Sequence, residues 1–433
     1  MEALDRILEK ATDPTSGILH GTVFIAVDRS AKIPGETIYA RASGVDSVAT
    51  GAEASPKPLQ LNSLYWVASM TKLVTAVAAA QLIERKILDL DMDVRKYVKE
   101  LEGVSGKNSA HFLREYGISA LFRPKSTLLA GSGADGAEQE GYTHPLLFQP
   151  GTSWGYGAGL DWAGVLGLLK IERVTGVRLS TYIEDNIFSR LDASCTSFLH
   201  PNQQPQDKTP PPLLEMAYRT TPSPSNRNSK ATNSSFTTPN PVLKPIPFLQ
   251  AGPIILTYPL SHDLGGIGLF STPADFASLL ASLLRDGDRL FARGKDSTDL
   301  LLAPQLFSEY PKAGIALPAG LGRQMKRIFG VGVDARYSTV KQPVEQPEWI
   351  DRKSGIAAAL FTQLMPPSDE KVTGLLISLE EALYAAVGNR EGSMDQTVDR
   401  GFPHRCLFTI ILYPPRITTG SISTGNQVAA ELG

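Results

Sequence analysis

The most continuous apolar stretch of the chain lies over residues 71–88, where Ala, Val, Leu and Ile dominate and neither glycine nor proline interrupts. This composition predicts a helix buried on all sides rather than a surface helix with one wet face. Asp89-Leu90-Asp91-Met92-Asp93 ends it, and residues 94–101 read as a further short helical turn. Ahead of it, the β-branched run 21–29 and the shorter run 36–42 predict two strands of a hairpin. Helical spacing returns over 160–175, stopped by Gly176, and over 179–191. It returns again over 271–285, where Thr272-Pro273 sets a capping hydroxyl before a first-turn proline. Residues 346–350 and 356–364 read as strands. Between these segments, residues 201–250 are rich in Pro, Ser, Thr and Asn and predict loop rather than layered structure, a lid or a surface excursion.

Strands near both ends of the pattern, with helices between them, point to an α+β fold whose sheet is assembled from distant segments. No internal repeat interrupts that arrangement. With 433 residues and 42% apolar content, the chain has enough material for a sizeable core. A formal charge of -2 and the lack of a long basic run argue against nucleic acid as a partner. The two cysteines, Cys195 and Cys406, are far apart and define neither a disulfide framework nor a zinc site. The six histidines are scattered without His-x-x-x-His spacing, and no phosphate-cradling glycine pattern joins a strand to a helix. No metal or organic cofactor is therefore expected. The N-terminal residues have no apolar signal region, and no run approaches the length of a membrane span. The expectation is a soluble, cytoplasmic protein.

Candidate chemistry concentrates at the start of the buried helix. Ser69-Met70-Thr71-Lys72 fits the Ser-x-x-Lys pattern of penicillin-binding enzymes, as do Ser338-Thr339-Val340-Lys341 and Ser368-Asp369-Glu370-Lys371. Only the first opens a long buried helix, where a three-residue spacing sets hydroxyl and amine on one face. A helix N-terminus and partial desolvation both disfavour an ammonium, so Lys72 is placed to accept a proton and activate Ser69 without any histidine. The plain alternative is a serine cap followed by an exposed lysine.

Tyr65-Trp66-Val67-Ala68-Ser69-Met70-Thr71-Lys72, followed by Leu88-Asp89-Leu90 and by Asp93-Val94-x-x-Tyr97-Val98, resembles the first motif region of the serine β-lactamase-like esterases and transesterases. Within that group it is similar to the fungal monacolin-type acyltransferases. Gln149-Pro150-Gly151-Thr152-Ser153-Trp154-Gly155-Tyr156, with Leu160-Asp161-Trp162-Ala163-Gly164 after it, looks like the family's second motif. Gly265-Gly266-x-Gly268-Leu269-Phe270-Ser271-Thr272 and Trp349-Ile350-Asp351-Arg352 resemble its later landmarks, as does Thr362-Gln363-Leu364-Met365-Pro366-Pro367.

The resemblance covers roughly residues 15–388 and implies a β-lactamase/transpeptidase-like fold, with an antiparallel sheet flanked by helices and a helical subdomain. The helices are expected on one side of the sheet and the site between them and the subdomain. It further implies Ser69 as nucleophile, Lys72 and Tyr156 as its proton-moving partners, and Trp66, Trp154, Gly157, Val340 and Lys341 around the substrate. Residues 1–388 would form one catalytic domain and 389–433 a divergent tail.

Two departures qualify this. Ala158 stands where β-lactam-reactive members carry Asn, and neither Ser-Asp-Asn nor Lys-Thr-Gly occurs, so penicillin hydrolysis is not the expected main activity. Counting back from Trp349-Ile350-Asp351, the family's Trp-Gly-Gly falls on Val340-Lys341-Gln342, which would leave one edge of the oxyanion hole without its glycines. A rival enzyme reading makes Ser153 the nucleophile of a Gly-x-Ser-x-Gly elbow, but Pro150 before it and Tyr156-Gly157-Ala158-Gly159 after it fit poorly with the strand and helix such an elbow needs. The expected function is transfer of an acyl group, from an ester or thioester donor that a carrier protein could bear, to a small-molecule hydroxyl in secondary metabolism. A carboxylesterase of the same fold and a non-catalytic scaffold with a degenerate third motif are the alternatives.

Overall fold

A computed structural model of the chain describes residues 1–31, 36–48, 55–89, 177–204, 210–220, 242–246, 263–302, 348–365 and 369–388. Its first helix, α1 (Glu2–Ala11), buries Leu4, Leu8 and Ala11, a one-sided spacing that lays it flat on a sheet. The expected hairpin is present: β1 (Gly21–Asp28) and β2 (Tyr39–Gly44) pair antiparallel, with Gly21 opposite Gly44 and Ala26 opposite Tyr39. β3 (Tyr65–Trp66) and a 3₁₀ turn at Ala68–Met70 lead directly into α2 (Thr71–Glu84).

The helix predicted over 71–88 ends four residues early. Lys86 takes the left-handed φ of 58°, Ile87 N-H donates to the Leu82 carbonyl (2.9 Å) and Lys86 N-H to that of Ile83 (2.9 Å). That pair of bonds is a Schellman cap with lysine in the position glycine usually holds, and it turns the apolar Ile87 and Leu88 back onto the helix instead of extending it.

Farther along, α3 (Leu179–Ile183) continues through a wider π turn (Glu184–Phe188) and a tighter 3₁₀ turn (Ser189–Leu191). Parts of the region expected to be loop are strands: β4 (Ala217–Arg219) pairs antiparallel with β5 (Leu243–Pro245). Such short strands leave almost no alternation to read, which is why composition pointed to loop. After β6 (Phe270–Ser271), α4 (Pro273–Leu284) begins as expected, with the Thr272 hydroxyl accepting from Asp275 N-H. Then come α5 (Lys295–Leu302), β7 (Glu348–Asp351), β8 (Ile356–Phe361), β9 (Leu364–Met365) and α6 (Glu370–Gly388).

Four antiparallel strands in the order β2-β1-β8-β7 form the main sheet. Side chains alternate across it, and each face builds its own core. Val23, Ile25, Ile350, Ala357, Ala359 and Phe361 meet α2 and α4 on one face. On the other, Phe24, Ala26, Trp349, Ala358 and Leu360 meet α1 and α6. Helices thus cover both faces of the sheet rather than one, because α1 and α6 each bring an apolar stripe. β9 joins β4 in parallel to complete a small three-stranded sheet, and β3 pairs with β6. Among the described residues no helix is long and apolar enough to cross a membrane.

Candidate active site

Ser69 and Lys72 lie where β3 hands over to α2. Ala68 carries a left-handed φ of 42°, a conformation that side-chain-bearing residues rarely adopt, and this bend delivers Ser69 into the 3₁₀ turn. Lys72 follows on the first turn of α2, and its Nζ lies 3.4 Å from Ser69 Oγ. Neither half of the plain alternative holds. Lys72 is only 2% exposed, and Met70 occupies the cap position of α2 with no side chain capping the helix.

The amine is held from its far side by a loop that sequence reading marked as a landmark but gave no role. Lys72 Nζ donates to the Gly266 carbonyl at 2.7 Å, and one turn on, Thr75 Oγ1 donates to the Gly265 carbonyl at 2.6 Å. Thr71, between Ser69 and Lys72, joins the same loop by accepting from Leu269 N-H (3.1 Å) while its hydroxyl donates to the Ala68 carbonyl (2.6 Å). Val67 N-H donates to the Leu269 carbonyl at 3.0 Å. Thr71, Lys72 and Thr75 of α2, and Val67 just after β3, are thereby sewn to residues 265–269.

Gly268 makes that loop possible. Its N-H closes a turn onto the Leu264 carbonyl at 2.8 Å, and a Cβ on Gly268 would stand 2.8 Å from the same oxygen. Farther along α2, the buried Gln81 amide donates to the carbonyls of Asn186 and Leu290 and accepts from the Tyr182 hydroxyl. The helix bearing the lysine is therefore pinned at both ends.

Trp66, expected beside the substrate, is half-buried against Met216 and Met365. Its indole N-H donates to the Ile267 carbonyl at 2.5 Å, and its own carbonyl accepts from the Gln363 side chain at 3.3 Å. Its visible contacts thus tie the loop and β9 to the nucleophile segment. Tyr156, Trp154, Gly157, Val340, Lys341 and the rival Ser153 lie outside the described residues, as do Ser338 and Ser368.

A further group enters from the sheet. Glu348, at the start of β7, is nine-tenths buried, and neither carboxylate oxygen has a hydrogen-bond partner among the described residues. Burial pushes its carboxyl up to about 8, against the lowering pull of its own backbone N-H and of the Lys72 charge. Sequence reading missed it, although strand alternation with Ile350 gave a signal: an acidic residue on the face that should be apolar.

A serine hydroxyl beside a buried amine at a helix start is the constellation from which serine acyl transfer is built. The beta-lactamase family model matches residues 33–381, most of the chain. The chain belongs to the beta-lactamase family. Among its curated relatives is acyltransferase calJ of Penicillium decumbens, 26% identical over 89% of this chain and 98% of that protein. Lovastatin esterase of Penicillium rubens is 29% identical over 45% of this chain and 52% of that protein. Unliganded simvastatin synthase (LovD) from Aspergillus terreus, 22% identical, shares the fold with a TM-score of 0.64 over 88% of this chain and 97% of that one. The β-lactamase/transpeptidase-like fold and membership of a family of serine enzymes are thereby established together. Among the described residues no cluster of His, Cys, Asp and Glu is arranged to hold a metal ion.

Proposed function

We propose that this protein is a serine acyltransferase that passes an acyl group through an acyl-Ser69 intermediate to the hydroxyl of a small, polyketide-like molecule. The observation that carries the reading is the buried Lys72 amine, fixed by the Gly266 carbonyl 2.7 Å away and lying 3.4 Å from Ser69 Oγ. In the first half-reaction Ser69 Oγ bonds to the acyl carbon and its proton passes to the neutral Lys72 amine. The bond from that carbon to the donor's oxygen or sulfur breaks, and the departing atom takes the proton from Lys72. In the second, the acceptor oxygen bonds to the acyl carbon, gives its proton to Lys72, and Ser69 Oγ leaves and recovers it.

By family resemblance Tyr156 shares this proton path, the Ser69 N-H supplies one oxyanion donor, and Trp154, Gly157, Val340 and Lys341 border the acyl group. Water in place of the alcohol turns the same steps into ester hydrolysis. An acyltransferase relative spanning nearly its whole length with this chain supports transfer, whereas the esterase relative spans about half. The donor is an ester or thioester, free or on a carrier protein.

Incubation with an activated thioester, followed by mass analysis of the peptide containing Ser69, tests the reading. Acyl mass should appear on that peptide, vanish in Ser69→Ala, persist in Ser153→Ala, and be discharged faster by an added alcohol than by water. Acylation retained in Ser69→Ala would overturn it.

A further inference from the structure

Glu348 has no part in the proton path just described, yet its position is hard to reconcile with a merely structural carboxyl. Successive β7 side chains point to opposite faces of the sheet. Trp349 packs in the α1–α6 core and Ile350 in the core shared with α2 and α4. Glu348, two residues before Ile350, therefore faces the core that α4 shares with α2, the helix that carries Lys72. Its backbone partner on β8 is Ala359, and β8 brings no ionisable side chain. From α4 the one ionisable group is Asp275, which is occupied by the Cys195 N-H and the Thr196 hydroxyl. Asp351, on the other face, accepts from the Tyr384 hydroxyl of α6, and Glu380 of α6 lies on that same far side. Asp263, at the head of the 265–269 loop, pairs with Arg178. Among the described residues, Lys72 is the charge to which Glu348 responds.

We propose that Glu348 is a positioning residue for the Ser69 reaction: a buried carboxyl on the α2 side of the sheet whose charge is tied to that of Lys72 and governs how readily the amine takes up the serine proton. This rests on the reading of Ser69 and Lys72 given above. An ionised Glu348 favours the ammonium, and a neutral one favours the free amine. The two groups then titrate as a coupled pair rather than singly. No proton has to leave the pair when Ser69 attacks, because the carboxyl only sets the field in which Lys72 accepts and returns it.

The test is the pH dependence of Ser69 acylation by an aryl ester, in wild type, Glu348→Gln and Glu348→Asp. Without a carboxylate to stabilise the ammonium, Glu348→Gln should move the acid limb to lower pH by about half a unit or more, with no rise in the alkaline plateau. Glu348→Asp, which keeps the charge, should restore the limb toward wild type. An acid limb unmoved in folded Glu348→Gln overturns the proposal. If that variant does not fold, the carboxyl infrared band is titrated in wild type and in Lys72→Met. Loss of the lysine charge should keep the carboxyl protonated to higher pH, and an identical titration in both proteins is the contrary result. Acylation persisting in Ser69→Ala would instead bring down the underlying reading of the site.

Discussion

Ala68, Ser69 and Lys72 show how three adjacent choices fix the chemistry. A left-handed φ at a residue with a side chain costs on the order of 1–3 kcal/mol, and here the strain falls on Ala68, directly before Ser69, the proposed nucleophile. The hydrogen bonds of Val67 and Thr71 to the backbone of Leu269 hold that bend in place. Lys72 is buried, and its amine has the Gly266 carbonyl at 2.7 Å and Ser69 Oγ at 3.4 Å among its partners. Since the Lys72 amine is the proposed acceptor of the Ser69 proton, Lys72→Met should lower the acylation rate by about a hundredfold or more. Methionine fills most of the lysine's volume, so the fold should survive and substrate binding should change little. Stopped-flow acylation with an aryl ester checks this, and a rate within a few-fold of wild type would remove Lys72 from the mechanism.

At the scale of elements, the decisive contact is between α2 and the 265–269 loop. Gly268→Ala sets a methyl 2.8 Å from the Leu264 carbonyl and 3.1 Å from the Phe198 ring. Backbone has to shift, and the carbonyls of Gly265 and Gly266 shift with it. Acylation should fall at least about tenfold, since loss of aim at a positioned group is costly even where binding persists, while circular dichroism stays unchanged. A second joint links the small sheet to α6: Arg219 pairs with Asp369 through two bonds of 2.5 and 3.3 Å, both side chains about nine-tenths buried, and also donates to the Ile18 carbonyl. Arg219→Met removes the cation from a buried carboxylate that keeps the N-H groups of Lys371 and Val372, and should cost about 3 kcal/mol, read from the denaturant midpoint.

These elements were unequally legible. The β1–β2 hairpin, α4 with its Thr272 cap, β7 and β8 follow from strong periodicity and cap chemistry. Ser69 and Lys72 were identifiable because a motif coincided with the start of a buried helix. The strands β4, β5 and β9 were not, since they have two or three residues each and owe their existence to pairing partners as distant as Ala217 and Leu364. The helices α1 and α6 were passed over although Leu4, Leu8 and Ala11 have helical spacing in the first. The backbone carbonyls that hold Lys72 and Thr75 leave no trace in side-chain pattern, whereas Glu348 was missed although its alternation with Ile350 put an acid on the apolar face of a strand.

For the molecule as a whole, two buried ionisable groups with opposite shifts shape stability against pH. His20 is buried, with neither ring nitrogen partnered among the described residues. Burial pushes its imidazole down, against the pull of Glu215 and Asp46. The unfolded chain therefore binds this proton first, and the stability it contributes is complete above about pH 6.5 and lost as pH falls below that. Glu348 has the opposite sign. Its folded value of about 8 lies above its ordinary value of 4.5, so the folded chain keeps a proton that the unfolded chain has released. That contribution is complete below the ordinary value and is lost as pH rises toward the folded one, with a slope of up to about 1.4 kcal/mol per pH unit. Between the two ordinary values the slopes oppose each other, and above about pH 6.5 the Glu348 slope remains. Wild type should therefore lose stability steadily from about pH 6.5 to pH 8, and Glu348→Gln, which has no proton to hold, should be flatter across that interval and more stable at its upper end. Denaturant midpoints taken at half-unit steps on both proteins decide the matter. Parallel curves would mean that Glu348 is ionised in the folded protein, and its link to Lys72 would then have to be that of a permanent ion pair.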